Sequence, residues 1–325
     1  MFCGKRLKTV LDFYKNSYSA SVHIVSIVGL MFFLQYDTIA LKNLRNSTMN
    51  QKTPSDSDIA SIIMAAGRGS RMTGYDGNKT LLPLMPVNST FEGSHLILHH
   101  LISNLPDGPK ALIVHHCKND VIAATNHLDI IYCEQPVLNG TGGALLTAQS
   151  FIAAQSCSKF VITMGDVPFV QKTTYLRLVQ QLELFDLVIM GFCPSEKKQY
   201  GVLETQGDLV QKITEWKYWK DYPAEKQANL TICNSGIYAA KKDILIKYLP
   251  VMASRPQIVY KEISGKTTPI EEFFITDLVE YLMDDGKSVG YILAEDERET
   301  MGVDDQAALL KAQALFKSKA GVSEH

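Results

Sequence analysis

No cysteine pair in this chain has CxxC spacing, and no cysteine–histidine cluster has the spacing of a zinc site. Cys3, Cys117, Cys133, Cys157, Cys193 and Cys233 are scattered. Several sit in apolar runs (IIYCEQ, TICNSG), where cysteine behaves as a small hydrophobe. A zinc-stapled fold is therefore excluded, and reduced thiols are expected in place of a disulfide framework. HExxH and GxSxG are missing, and His95, His99, His100, His115 and His116 form neither a metal set nor a triad. An excess of charge is missing too. A net charge of -2 over 325 residues gives no electrostatic case for nucleic acid as a partner. Internal repeats and long low-complexity segments are absent. What remains is an ordinary globular balance, 46% hydrophobic and 20% charged.

The apolar segment VHIVSIVGLMFFL, residues 22–34, is about 13 residues long. A bilayer-crossing helix needs roughly 20. The segment follows a basic MFCGKRLK, and no small-x-small cleavage site succeeds it. Three readings stay open: sequence upstream of a start at Met49, a membrane contact, or a secretion signal. We expect residues 1–57 to be an extension and 58–325 to be one catalytic domain.

From Asp58 onward short apolar runs alternate with amphipathic ones. ASIIMAAG, KALIVHH, LDIIYCE, KFVITMGD and DLVIMGFC read as strands, separated by helical patterns such as HLILHHLISNL and TTYLRLVQQLELF. This alternation predicts an α/β fold: a Rossmann-like, mostly parallel but mixed sheet with helices on both faces. YGVLETQGDLVQKITEW predicts a hairpin, read as part of an insertion covering one end of the sheet. Residues 216–227 predict a loop or short helix. TICNSGIYAA and SVGYILAED predict further strands. KKDILIKYL, Asp304 to Lys317, and PIEEFFITDLVEYLMDDG, closed by Gly286, predict helices.

Several short stretches carry chemistry. In MAAGRGSRM a strand runs directly into Gly67 and Gly69, where successive backbone N–H groups can form an anion nest. Met72 breaks the dinucleotide fingerprint, and no GK[ST] closes the loop as a P-loop. Arg71 and, beyond the loop, Lys79 add positive charge. A second glycine run, Asn139 to Ala144, opens a helix, whose N-terminus suits a base or phosphate. Asp166 follows an apolar strand, at the end of a sheet where ligands bind in open α/β folds. It reads as a Mg²⁺ ligand or as a turn-forming aspartate. Asp304 reads as a second carboxylate for that ion or as the N-cap of the last helix. Trp216, Tyr218 and Trp219 read as a stacking surface or as a folded-down flap.

Taken in order, these motifs resemble the nucleotidyltransferase family of GT-A-like fold, and in particular the uridylyltransferase domain of bacterial N-acetylglucosamine-1-phosphate uridylyltransferases. MAAGRGSRM is similar to LAAGxGTRM, and EQPVLNGTGGA to the QxxxxGTGHA region. TMGDVP, YGVLE, ITEW, CNSGIYAA and MGVDDQAAL also have counterparts in order. The resemblance covers roughly Asp58 to Lys317 and does not extend to an acetyltransferase domain.

The resemblance implies UTP and N-acetylglucosamine-1-phosphate as substrates, Mg²⁺ as cofactor, and UDP-N-acetylglucosamine and pyrophosphate as products. It implies that Arg71 and Lys79 hold the triphosphate, and that Ala65, Ala66, Gly67 and Gly69 approach the nucleotide. Gln135, Gly140 and Thr141 would read the base. Gly201, Glu215 and Asn234 would contact the sugar phosphate, and Asp166 and Asp304 the metal. A consumer of nucleoside triphosphates is expected in the cytoplasm, with any membrane contact through residues 22–34 on that side.

There are departures. Asp304 replaces an Asn, Gly143 a His, Asn78 the Pro before the lysine, and Trp216 the His beside Glu215. They keep open a cytidylyl-, guanylyl- or thymidylyltransferase acting on another phosphorylated acceptor. An inactive nucleotide-sugar sensor is the alternative of another class.

Overall fold

The computed structural model describes residues 58–263 and 265–319. The apolar segment 22–34 and the expected extension lie outside them. Among the described residues no helix is long and apolar enough to cross a membrane.

Thirteen strands are described. They are β1 (Ile59–Met64), β2 (Pro83–Ser89), β3 (Glu92–Leu96), β4 (Lys110–Val114), β5 (Ile131–Glu134), β6 (Lys159–Met164), β7 (Leu187–Phe192), β8 (Val202–Gln206), β9 (Leu209–Thr214), β10 (Cys233–Lys241), β11 (Gln257–Ile263), β12 (Lys266–Glu272) and β13 (Val289–Leu293). Nine of them form the main sheet, in the order β5-β4-β1-β6-β10-β7-β13-β9-β8. β1 runs parallel to both β4 and β6, and β7 parallel to β13; β10 enters antiparallel between β6 and β7. The mixed sheet is the one the alternating pattern predicts.

Both faces are apolar because the strands at the centre are buried on both sides. Along β1, Ala60 and Ile62 point to one face and Ile59 and Ile63 to the other. The first face is covered by Gly140–Thr147, Lys242–Ala253 and Asp277–Asp284, through residues such as Leu145, Leu249 and Leu278. The second is covered by Ile97–Asn104 and Lys172–Gln180, through Leu98, Leu101, Leu178 and Val179.

Three expectations are corrected. The β8–β9 hairpin is not an insertion over the sheet: it forms the sheet's edge beside β13, and Val202 also pairs with Cys233 of β10. The segment from Pro269 to Gly286 is helical only from Asp277; its first part is β12, paired with β11 through seven residue pairs from Gln257–Glu272 to Ile263–Lys266. Gly265, with φ of 74°, makes the turn. Apolar residues in PIEEFF recur at a spacing that fits either element, and the partner strand decided between them. The β2–β3 hairpin is not marked by the sequence pattern: β3 is exposed and polar, and β2 carries two prolines and is exposed over its last three residues, so neither shows a strand's alternation. Residues 216–229 form two short helices, Trp216–Trp219 and Ala224–Asn229, as expected for a loop or short helix.

Asp186 ties three strands together. Its carboxylate accepts from Lys241 Nζ of β10 at 3.1 Å, and from the Ser288 N–H and hydroxyl before β13 at 3.1 and 3.2 Å. Burial pushes its pKa up, but the Ser288 N–H and Lys241 outweigh that and leave it below the usual carboxylate value. A folded-state pKa below the unfolded one stabilises the protein above about pH 4 and ceases to do so as pH falls through the folded value. Asp186→Ala is expected to lower the unfolding free energy at pH 7 by about 2 kcal/mol. Urea denaturation at stepped pH should show this deficit shrinking as the medium is acidified below about pH 4.

Candidate active site

The site is built at the carboxyl edges of β1 and β6. These strands are parallel neighbours in register, Met64 beside Met164, so the glycine loop after β1 and Asp166 after β6 emerge side by side. The approach is close. A side chain on Gly165 would stand 2.9 Å from the Met64 carbonyl oxygen, and Gly165 N donates to that oxygen at 2.9 Å.

Lys79 is the centre of the charge arrangement. Its Nζ contacts Asp166 Oδ2 and donates to Asp304 Oδ1 at 2.8 Å. Arg71 reaches the same Asp304 oxygen at 3.0 Å. The Lys79 and Asp166 side chains are only 15% and 14% exposed, whereas Arg71 is 67% exposed and its pair is correspondingly weak. Burial opposes the charged ammonium of Lys79, but Asp166 and Asp304 outweigh it and raise its pKa. Burial likewise opposes the charge on Asp304, and Lys79 and then Arg71 overturn it, so that pKa falls.

The helix-capping alternative for Asp304 is taken by its neighbour. Asp305 accepts from Ala308 N at 2.8 Å at the start of the helix Gln306–Lys319, which leaves the Asp304 carboxylate to the lysine. Val303 N donates to the Asp166 carbonyl at 2.9 Å, joining the two acidic loops through their backbones.

Asn78 sets the lysine in place. This residue is buried and caps the short helix Lys79–Leu81. Its Oδ1 accepts from Thr80 N and Thr80 Oγ1; its Nδ2 donates to the Ala65 and His116 carbonyls at 2.9 and 3.0 Å. The lysine loop is thus tied to the ends of β1 and β4. Gly69, with φ of 62°, packs over the Lys79 stem, where a side chain would come within 3.2 Å of it.

A cavity of about 340 Å³ opens beside these charges. Ala65, Ala66, Gly67, Gln135, Gly140 and Thr141 line it together with Lys79 and Asp166. Gln135 is 2% exposed, and its Nε2 donates to Asn139 Oδ1 at 3.0 Å and to the Gly140 carbonyl at 3.3 Å. His115 Nδ1 donates to the Gln135 carbonyl at 2.6 Å. A side chain at Gly143 would stand 1.8 Å from Asn139 Oδ1. The glycine at 143 therefore makes room for Asn139, which fixes the Gln135 amide. Gly140 and Gly142 answer to packing: side chains there would lie 2.4 and 2.7 Å from backbone atoms of Phe273. At Gly67 a side chain would meet nothing within 4 Å among the described residues.

Gly201, Glu215 and Asn234 line a second cavity of about 590 Å³, which shares Thr141 and Met164 with the first. Asn234 N donates to the Gly201 carbonyl at 2.8 Å, and Asn234 Nδ2 to Tyr238 Oη at 2.8 Å. Burial raises the Glu215 pKa, partly countered by Lys217. Trp216 also lines this cavity, whereas Trp219 is buried and donates to the Tyr200 carbonyl at 2.8 Å. Arg71 stands apart from both, in a cleft with Tyr200 and Asp304. The sequence marks Asn78 only as a departure before the lysine and Asn139 only as the start of the second glycine run, and it does not mark the cavity-lining Lys261 and Glu272. The polar asparagine before Lys79 was the one available signal.

Comparison with known proteins agrees with this architecture. Residues 61–218 match the MobA-like NTP transferase domain. The bifunctional protein GlmU of a Ruegeria species is 30% identical over 267 residues, which are 80% of this chain and 53% of that protein. Its counterpart from Cereibacter sphaeroides is 27% identical over 270 residues, covering 81% and 53%. The chain thus spans about half the length of these curated relatives. In fold it matches the uridine diphosphate N-acetylglucosamine pyrophosphorylase of Trypanosoma brucei with a TM-score of 0.63, at 11% identity, over 89% of this chain and 73% of that one. Residues 61–218 thus carry the MobA-like NTP transferase domain, and the chain is similar to nucleotidyltransferases in sequence and shares their GT-A-like fold.

Proposed function

We propose that the protein transfers a uridylyl group from UTP to N-acetylglucosamine-1-phosphate, releasing pyrophosphate. The observation that carries this reading is the convergence of Asp166, Asp304 and Arg71 around Lys79, beside two adjoining cavities. The likeness in fold to the uridine diphosphate N-acetylglucosamine pyrophosphorylase of Trypanosoma brucei supports the acceptor, and the Gln135 environment supports the base. With its Nε2 engaged by Asn139 and Gly140, Gln135 offers its carbonyl oxygen, an acceptor suited to the N3–H of uracil. Cytoplasmic operation follows from the nucleotide substrate.

In the proposed reaction an acceptor phosphate oxygen attacks the α-phosphorus in line. The new P–O bond forms as the bond to the β-phosphate oxygen breaks, and pyrophosphate leaves. The acceptor phosphate has a second pKa of about 6, by analogy with other phosphate monoesters, so it attacks as a dianion without a general base. The work of the protein is to position two anions and to offset the charge that accumulates.

Lys79 places a largely buried ammonium at that point, and Arg71 adds a more exposed guanidinium. The donor chemistry fits Mg²⁺: two carboxylates are already drawn to a single cation, and hard oxygen ligands plus substrate phosphates complete such sites. Among the described residues no group of three or more His, Cys, Asp or Glu gathers for a metal, so the substrate would have to supply the remaining ligands. Asp166 and Asp304 would hold the ion, which when bound would neutralise phosphate charge. Gly201, Glu215 and Asn234 would orient the sugar phosphate.

Pyrophosphate release with UTP and N-acetylglucosamine-1-phosphate tests the assignment. Lys79→Ala and Asp166→Asn are each expected to lower kcat by at least about 10²-fold while thermal melts stay cooperative. Turnover near wild type in either would overturn these roles. The glycines should separate by function. Gly67→Ala should keep the wild-type melting temperature and raise KM for UTP, whereas Gly140→Ala should be destabilised, because its side chain meets backbone. Asn139→Ala frees the Gln135 amide to turn over. Its ratio of kcat/KM for UTP over CTP is expected to fall about tenfold, measured by competing the two nucleotides.

A further inference from the structure

The β11–β12 hairpin stands outside the main sheet, yet it is fastened to the glycine run at 140–143. Phe273, directly after β12, donates its N–H to the Asn139 carbonyl at 2.9 Å and accepts from Gly142 N at 2.8 Å. Ile275 N donates to Thr141 Oγ1 at 3.2 Å. The hairpin's two faces differ. Ile258 and Tyr260, 54% and 69% exposed, point away. Lys261 and Glu272 point to the cavity that also holds Gly67, Lys79 and Thr141, and Glu272 lines the acceptor-side cavity as well.

Glu272 is 7% exposed, and its carboxylate is paired with Lys261 Nζ. An unneutralised carboxylate in this wall would repel any polyanion entering the cavity. Lys261 cancels that charge. Its side chain is 47% exposed, so it is not locked in place as a fully buried partner would be. Lysine suits this use: a point charge with three donors on a flexible stem. The carboxylates that Lys79 serves lie beyond the ends of β6 and β13, whereas Lys261 comes from the hairpin, so the two cations reach the cavity from separate elements.

We propose that Lys261 is a phosphate-binding residue for the nucleotide, delivered by the β11–β12 hairpin, and that Glu272 is the partner holding it when no nucleotide is bound. On nucleotide entry the Lys261 ammonium exchanges the Glu272 carboxylate for a phosphate oxygen. This rests on the nucleotide reading of the cavity given above.

The test is calorimetric titration of the full chain with UTP and Mg²⁺. Lys261→Met is expected to weaken binding about tenfold and Lys261→Arg to stay within about threefold of wild type, since a charge-assisted contact is lost in one and kept in the other. Glu272→Gln is expected to bind UTP at least as tightly as wild type, because it removes a competitor for the lysine. A purely structural pair would respond alike to either loss, so equal weakening in Lys261→Met and Glu272→Gln overturns the proposal. So does unchanged affinity in Lys261→Met with a wild-type melting temperature. If the wild type itself binds no nucleoside triphosphate, the function proposed above falls and takes this inference with it. Tight wild-type binding with an unaffected Lys261→Met defeats the inference alone.

Discussion

Two carboxylates facing one point is the arrangement on which the rest of the site depends. Asp166 and Asp304 repel each other, and partial burial makes their separation from water costly. A cation between them turns both costs into attraction, and Lys79 supplies it. The surrounding structure serves this contact. β1 and β6 bring the glycine loop and Asp166 together, the Val303 amide stitches the Asp304 loop to Asp166, and buried Asn78 fixes the segment bearing the lysine. In the proposed reaction the same need recurs: two anions must meet, and positive charge must already stand where they do.

The glycines of the two glycine-rich loops do different jobs. Gly140 and Gly142 let the second loop lie against the backbone at Phe273, and Gly143 yields its place to Asn139. Those three are explained inside the protein. Gly67 faces open space in the cavity, where no internal packing demands a glycine; in the proposed function its small size serves the approach of the nucleotide. One composition thus hides two causes, internal packing and ligand access, and only coordinates tell them apart.

The sheet was legible because its central strands are short, continuous apolar runs, buried on both faces and bounded by turns. The carboxyl-edge placement of Gly67 and Asp166 follows directly from that pattern. The elements that were misread are those whose form is set by a partner. PIEE became strand because β11 lies beside it, and YGVLETQGDLVQKITEW joined the sheet because β13 and β10 offered an edge. The charged site was partly legible: Lys79, Asp166 and Asp304 stood out by position in motifs. Lys261 and Glu272 did not, and Asn78 and Asn139 appear there only as a departure and a loop start, without their positioning roles. Their roles arise from contacts between segments far apart in the chain, which no local spacing records.

The measurement that bears most directly on the account is a crystal structure with Mg²⁺ and a non-hydrolysable UTP analogue. The account predicts metal coordinated by Asp166 and Asp304 at about 2.1 Å, with Lys79 displaced from the carboxylates onto phosphate oxygens and the base against Gln135. A nucleotide seated away from Gly67 and Gln135, with Lys79 still bridging the two aspartates, would contradict it.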